Sequence, residues 1–238
     1  MNYQLITDEQ ELDNFIDWLP ELIKNDQDNE VFYMALFARK KYFQDIISSS
    51  NDKTQLRREL VKKHSIKREL RKWECVLGSY ELKKDIVPQE ALVVYITPNP
   101  RSMKKAMYSL TKDMIDFMSK ENIPHNLHQN AISAVQKSKS YTHVVDFDID
   151  TKDVNLKVLE NILPYGTYDI LETRGGYHIL VNPKKVEELG ADFTLLDKIN
   201  KQWYQTIKNK FDVDQSGDNM IPIPGTFQGG FTPKFKLI

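Results

Sequence analysis

The residues Thr142-His143-Val144-Val145-Asp146-Phe147-Asp148-Ile149-Asp150 organise everything around them. Side chains alternate along a strand, so Asp146, Asp148 and Asp150 fall on one face while Val145, Phe147 and Ile149 fall on the other. Apolar Val144 and Val145 ahead of the first aspartate place this strand inside a sheet. Carboxylates two residues apart on a buried face repel each other, and a divalent cation is the natural neutraliser. The same alternation also suits the polar outer face of an ordinary amphipathic strand, and the pattern alone leaves both readings open.

Downstream, Val154 to Leu163 reads as a helix, and Tyr168 to Thr173 and Tyr177 to Val181 as strands joined by Arg174-Gly175-Gly176. Two glycines there allow positive φ and a close approach of ligand to backbone. Arg174 is suited to a bidentate phosphate contact, and His178 to a further one. A hairpin turn followed by a core histidine is the plainer account of the same residues. A further helix carries Leu196, Ile199, Trp203 and Ile207. Phe211-Asp212-Val213-Asp214-Gln215-Ser216-Gly217-Asp218 then supplies a late acidic group where the chain must turn, a pattern that simple turn chemistry also explains. Residues 221–231, IPIPGTFQGGF, are too rich in proline and glycine for regular structure.

Upstream, Ala91 to Thr97 is a buried strand stopped by Pro98 and Pro100. Ser102 is placed to cap a helix with Ala106, Leu110, Met114, Phe117 and Met118 on its core-facing stripe. Asn130 to Lys139 forms a short helix. Val31 to Ala38 is a strand ending on Arg39, Lys40 and Lys41. Thr7 with Gln10 forms a capping box for a first helix bearing Leu12, Phe15, Ile16, Leu19, Leu22 and Ile23. Between Lys53 and Lys72 stand Arg57, Arg58, Lys62, Lys63, Lys67, Arg68 and Arg71, opposed by Glu59 and Glu69 alone. With Leu56, Leu60 and Val61 as an apolar side, the segment reads as a basic helix. It is either a phosphate-attracting surface or a solvated face.

The formal net charge of −1 makes that local excess, rather than the overall balance, the electrostatic signal. Cys75 is the only cysteine, which excludes a disulfide framework and a multi-cysteine zinc site and suits a reducing cytoplasm. No run approaches the roughly 20 apolar residues of a membrane helix, and MNYQLITDEQ has no signal-peptide pattern, so a soluble cytoplasmic protein without membrane partners is expected.

Taken in order, a carboxylate pair, a glycine-histidine turn and a late aspartate resemble the archaeo-eukaryotic primase superfamily, the primase-polymerases of replication, repair, plasmids and phages. That family carries a D-x-D or D-x-E pair on one strand, a histidine among small residues on a second, and an apolar residue followed by aspartate on a third. Asp146 with Asp148, His178, and Val213-Asp214 match these positions. Pro222-Ile223-Pro224-Gly225-Thr226 is similar to the arginine-proline-glycine-threonine loop of phage and plasmid members. The resemblance covers about residues 90–238. It departs from the family where a serine usually precedes the histidine, since Arg174, Gly175 and Gly176 stand here. It departs again where Met220, Ile221 and Ile223 replace the arginine before the loop. No zinc module or fused helicase is recognisable.

The resemblance implies an α+β fold with a two-layer, mostly antiparallel catalytic domain at 90–238. Residues 1–89 would be an α-rich, partly basic region that either completes that fold or stands beside it. It implies a DNA-dependent primase or polymerase acting in replication, with Mg²⁺ or Mn²⁺ held by Asp146, Asp148 and Asp214. An NTP or dNTP would be held by Arg174, Gly175, Gly176 and His178. A single-stranded DNA template would lie on Lys40, Lys41, Arg57, Arg58, Lys62, Lys63, Lys67, Arg68, Arg101 and Lys104, with Arg39, Lys53 and Lys105 nearby, and a separate replicative helicase is a further implied partner. Tyr42, Phe43 and Trp73 are placed either to stack on bases or to pack in the core. A metal-dependent nuclease and a non-catalytic DNA-binding protein of the same fold are the competing readings.

Overall fold

The structure, a computed structural model, describes residues 1–22, 29–43, 52–119, 126–189 and 202–236. The chain begins with α1 (Glu9–Trp18), β1 (Glu30–Arg39), β2 (Lys53–Val61) and α2 (Ile66–Trp73), then the small hairpin β3 (Glu81–Leu82) and β4 (Asp85–Ile86). Next come β5 (Leu92–Ile96), β6 (Arg101–Ser102), α3 (Met103–Met118) and α4 (Leu127–Lys137). The last part holds β7 (Val145–Ile149), β8 (Tyr168–Glu172), β9 (Tyr177–Val181), α5 (Pro183–Leu189) and α6 (Gln202–Lys210). It ends with β10 (Gln215–Gly217), β11 (Ile221–Pro222) and β12 (Lys234–Lys236).

Two five-stranded sheets dominate. The first runs β11-β5-β1-β2 with β6 added to β1, the second runs β10-β7-β9-β8-β12, and every pairing is antiparallel. Helices surround these sheets without alternating with parallel strands, so the fold is α+β. β1 and β2 share a sheet with β5 and β11, so residues on both sides of position 90 build one layer.

β7 shows why the sheets face each other. Its Phe147 and Ile149 join Ile179, Val181, Ile207 and Phe211 in a core on the outer side of the second sheet. Leu180 and Leu171, on the other side, join Phe32, Met34, Leu36, Val94 and Ile96 of the first sheet, together with Phe15 of α1 and Leu70 of α2. Asp146 and Asp148 therefore lie on the side of the first sheet, so theirs is not the polar outer face of an ordinary amphipathic strand.

Several expected elements change. Lys53–Val61 is a strand, and only Ile66–Trp73 of the basic segment is helical. β1 is buried almost throughout and needs a hydrogen-bonding partner on each side, a demand that overrides the helix propensity of Gln-Leu-Arg-Arg-Glu-Leu. Val154–Leu163 contains a 3₁₀ turn at Leu156–Asn161 instead of an α-helix. Asp8, not Thr7, caps α1, its side chain accepting from the Glu11 N–H, while the Thr7 hydroxyl donates to the Gly225 carbonyl. Ser102 does cap α3 by accepting from the Lys105 N–H at 3.1 Å. Of the α3 stripe only Ala106 is buried, and Met118 is 84% exposed. Ile23, Leu196 and Ile199 lie outside the described residues. Among the described residues no helix is long and apolar enough to cross a membrane.

Candidate active site

Antiparallel register sets Asp148 opposite His178 and Asp146 opposite Leu180. From there the His178 ring reaches both carboxylates: Nδ1 is 2.9 Å from Asp146 Oδ1 and Nε2 is 3.6 Å from Asp148 Oδ1. Burial opposes a charged imidazole, but Asp146, the hydrogen bond to it and Asp148 together raise the His178 pKa above its ordinary value. His178 was expected to hold a triphosphate. It is 5% exposed and acts chiefly as the hydrogen-bonding partner of a buried carboxylate. Asp146 is fully buried, and its second oxygen accepts from Asn219 Nδ2 at 3.2 Å.

Asp148 opens toward solvent. Burial raises its pKa, His178 opposes that, and the neighbouring charges of Asp146, Asp150 and Asp214 raise it further. Asp214 arrives from the next strand: β10 pairs with β7, and the Asp214 N–H donates to the Asp148 carbonyl at 2.9 Å. Two acidic elements far apart in sequence, the aspartates of β7 and Asp214, thus meet at one sheet edge.

Facing them is a cavity of about 200 Å³ whose other wall belongs to the first sheet. Asp148, Asp150 and Asp214 line one side, and Arg39, Lys41 and Lys53 line the other, with Tyr42 and Tyr95 between. β1 and β2 pair Arg39 with Lys53 at the ends of their strands. Arg39 forms an ion pair with Asp52 at 2.9 Å and donates from Nη1 to the Tyr95 hydroxyl at 2.7 Å. Lys53 is exposed as a whole residue, but its ammonium lies over the Tyr95 ring, 3.8 Å from the centroid, and 4.7 Å from that of Phe37. Loss of solvation there, with Arg39 beside it, lowers the Lys53 pKa from 10.5 to about 8.

The glycine turn works differently from its sequence reading. Neither Gly175 nor Gly176 has positive φ. A Cβ on Gly176 would fall 1.8 Å from the Ile149 carbonyl oxygen, so this glycine admits the backbone of the acidic strand's end and not a ligand. Gly175 lines the cavity. Arg174 lies over the Tyr42 ring at 4.6 Å, its N–H donating to Gln228 Oε1, while Gln228 Nε2 donates to the Tyr42 hydroxyl.

The basic residues divide sharply. On and around α2, Lys63 pairs with Glu21, Lys67 with Glu9 and Asp13, Arg68 and Lys72 with Glu69, and Arg71 with Glu9 and Glu74. Most of the apparent positive patch is consumed within the protein, by Glu69 inside the window and by Glu9, Asp13, Glu21 and Glu74 outside it. Arg101 is corrected outright: at 2% side-chain exposure and bound to Asp218, it cannot present itself to DNA. Arg57 lies over the Tyr80 ring, Arg58 meets His128, and Lys62 and Lys104 are exposed. Lys40 is half-buried, and Lys41 beside it lines the cavity.

Among the described residues no group of three His, Cys, Asp or Glu side chains forms a ready metal cage. The donor set is nonetheless of the type a hard divalent cation takes: Asp148, Asp150 and Asp214 offer carboxylate oxygens at one mouth, and their mutual repulsion bears on Asp148. Asp146 has both oxygens engaged and would join only by exchanging a hydrogen bond. Arg39, Lys53, Tyr95, Asn219 and Gln228 complete the site without having been assigned to it from sequence. Arg39 and Lys53 were legible as cations but not as the acids' opposite wall. No family model matches the chain, and no curated protein or solved structure matches it either.

Proposed function

We propose that this chain is a metal-dependent nucleotidyltransferase of the primase-polymerase type, extending a strand on a single-stranded DNA template. The observation that carries the reading is the opposition of charge across one cavity, three carboxylates against Arg39, Lys41 and Lys53. A nuclease needs the acids and metal; a triphosphate substrate also needs cations placed for its tail, and phosphoryl transfer is mostly positioning and charge stabilisation. The cavity lies below the ~300–1,000 Å³ of sites that enclose a whole drug-sized ligand. It suits a triphosphate with ribose and base toward the mouth.

Asp148 and Asp214, with Asp150 beside them and Asp146 behind, would hold Mg²⁺ or Mn²⁺, which supplies Lewis-acid stabilisation of the transferring phosphoryl group. Arg39, Lys41 and Lys53 bind and orient the triphosphate. A 3′-hydroxyl, giving up its proton to solvent water, would attack the α-phosphorus; the bond from that phosphorus to the α,β-bridging oxygen breaks, and pyrophosphate leaves toward the basic wall. His178 keeps Asp146 aimed through its hydrogen bond. The template runs along the β2 edge by Arg58 rather than over α2, whose cations are already paired.

The test is incorporation of labelled nucleotide on a single-stranded template with Mg²⁺ or Mn²⁺, comparing wild type, Lys53→Met and Asp146→Ala with Asp148→Ala. Product from wild type, lost in the double variant and weakened through KM for nucleotide in Lys53→Met, supports the reading. Template degradation in place of synthesis would establish a nuclease, and equal DNA binding with no chemistry would leave a binding protein.

A further inference from the structure

β10 belongs to the acidic sheet and β11 to the basic one, and only Asp218, Asn219 and Met220 separate them. This crossing is gripped from the side. Arg101, on the strand that pairs with the start of β1, is 2% exposed and forks onto Asp218, Nη1 to Oδ2 at 2.6 Å and Nη2 to Oδ1 at 3.0 Å. Asn99, fully buried, donates from Nδ2 to Asp218 Oδ1 at 2.8 Å and to the Val144 carbonyl at 2.9 Å. Its Oδ1 accepts from the His143 and Val144 N–H groups at 2.7 and 2.9 Å. Two side chains anchored after β5 therefore hold both the entrance to β7 and the crossing from β10 to β11. The next residue in that crossing, Asn219, donates to Asp146.

We propose that Asn99, Arg101 and Asp218 form a buried clamp that locks the acidic sheet to the basic one and, through Asn219, fixes Asp146 at the cleft. They are positioning residues. A buried guanidinium gripping through both Nη atoms has a planar fork that matches one carboxylate in one orientation, which suits a group whose task is to set geometry. The alternative, that Arg101 merely neutralises Asp218, leaves the four Asn99 hydrogen bonds to Asp218 and to His143 and Val144 at the entrance to β7 without a role.

The kinetic consequence rests on the nucleotidyl-transfer reading, whereas the mechanical one does not, so the experiment has two arms. Native-state hydrogen exchange on the full chain reads the clamp directly. Asp218→Asn is expected to speed exchange of the Val144 and Asp214 amides at least about tenfold more than that of Met34 and Leu36 in β1, the signature of local opening beyond any global loss. Steady-state kinetics read its effect on the site. Asn219→Ala, a milder change than any in the buried pair, and Asp218→Asn should each lower kcat about tenfold or more with template KM little changed. The double variant should be no worse than the poorer single, because both act through Asp146. Arg101→Lys, which keeps the charge and loses the fork, should fall between wild type and Asp218→Asn. Unchanged exchange at Val144 and Asp214 overturns the clamp, and so do additive kinetic losses. If wild type makes no product, the transferase reading fails, and the exchange arm alone decides the clamp.

Discussion

Removing the two halves of the Arg101–Asp218 pair should have unequal costs. The Arg101 side chain is 2% exposed and its Nε already lacks a partner, whereas Asp218 is 25% exposed and keeps a hydrogen bond from Asn99. Asp218→Ala leaves a guanidinium charge stranded out of water, for which about 3–5 kcal/mol is the usual cost of breaking a buried pair. Arg101→Met leaves a carboxylate that water and Asn99 still reach, and the cost should fall to about 1–3 kcal/mol, that of a poorly satisfied polar group. For a chain of this size, Asp218→Ala should lower Tm by roughly 6–20 °C, with Arg101→Met clearly milder. The combined variant, with neither charge, should be more stable than Asp218→Ala alone. Urea unfolding with comparable m-values and a thermal melt provide the assay. Equal losses from the two single variants, or a double variant that simply adds them, would show that the charge is not buried as described.

Gly176→Ala should destabilise by about 1–3 kcal/mol or more by overpacking, because its Cβ meets the Ile149 carbonyl at 1.8 Å; Gly175→Ala, with nothing nearer than Asp150 Oδ1 at 3.7 Å, should melt like wild type. Lys53 has its pKa lowered from 10.5 to about 8, so its charge weighs against the folded state at low pH, and stability should rise as pH climbs through that window. Nucleotide binding should weaken over the same range as the ammonium loses its proton, and calorimetry with Lys53→Arg should show that dependence removed. Arg58→Ala should reduce the salt slope of single-stranded DNA binding by about 0.7, whereas Arg68→Ala, whose cation is already paired with Glu69, should leave the slope unchanged in an anisotropy titration.

The elements that sequence pattern located are those in which local chemistry and tertiary demand agree. Ala91–Thr97 and Thr142–Asp150 contain strands because their apolar runs suit burial on both faces or one. Ser102 caps a helix because a hydroxyl before a helical stretch satisfies a free N–H. Lys53–Val61 went the other way because its propensity is helical while its pairing with β1 is not local. Lys67 and Arg71 of α2 looked like part of a DNA surface because Glu9, Asp13 and Glu74, which pair with them, lie outside the basic window.

The sequence alone therefore determined that Asp146 and Asp148 share one face of a strand, that a second strand carries His178, and that the chain is an α+β protein. Alternation and turn chemistry are properties of neighbouring residues. Only the tertiary structure decided that this face looks across at Arg39 and Lys53 and that His178 serves Asp146. It also decided that Arg101 is buried against Asp218 and that Gly176 makes room for a backbone. Each of these depends on which strands lie beside and opposite one another, and hydrogen-bond pairing over long sequence separations sets that, beyond the reach of any local pattern.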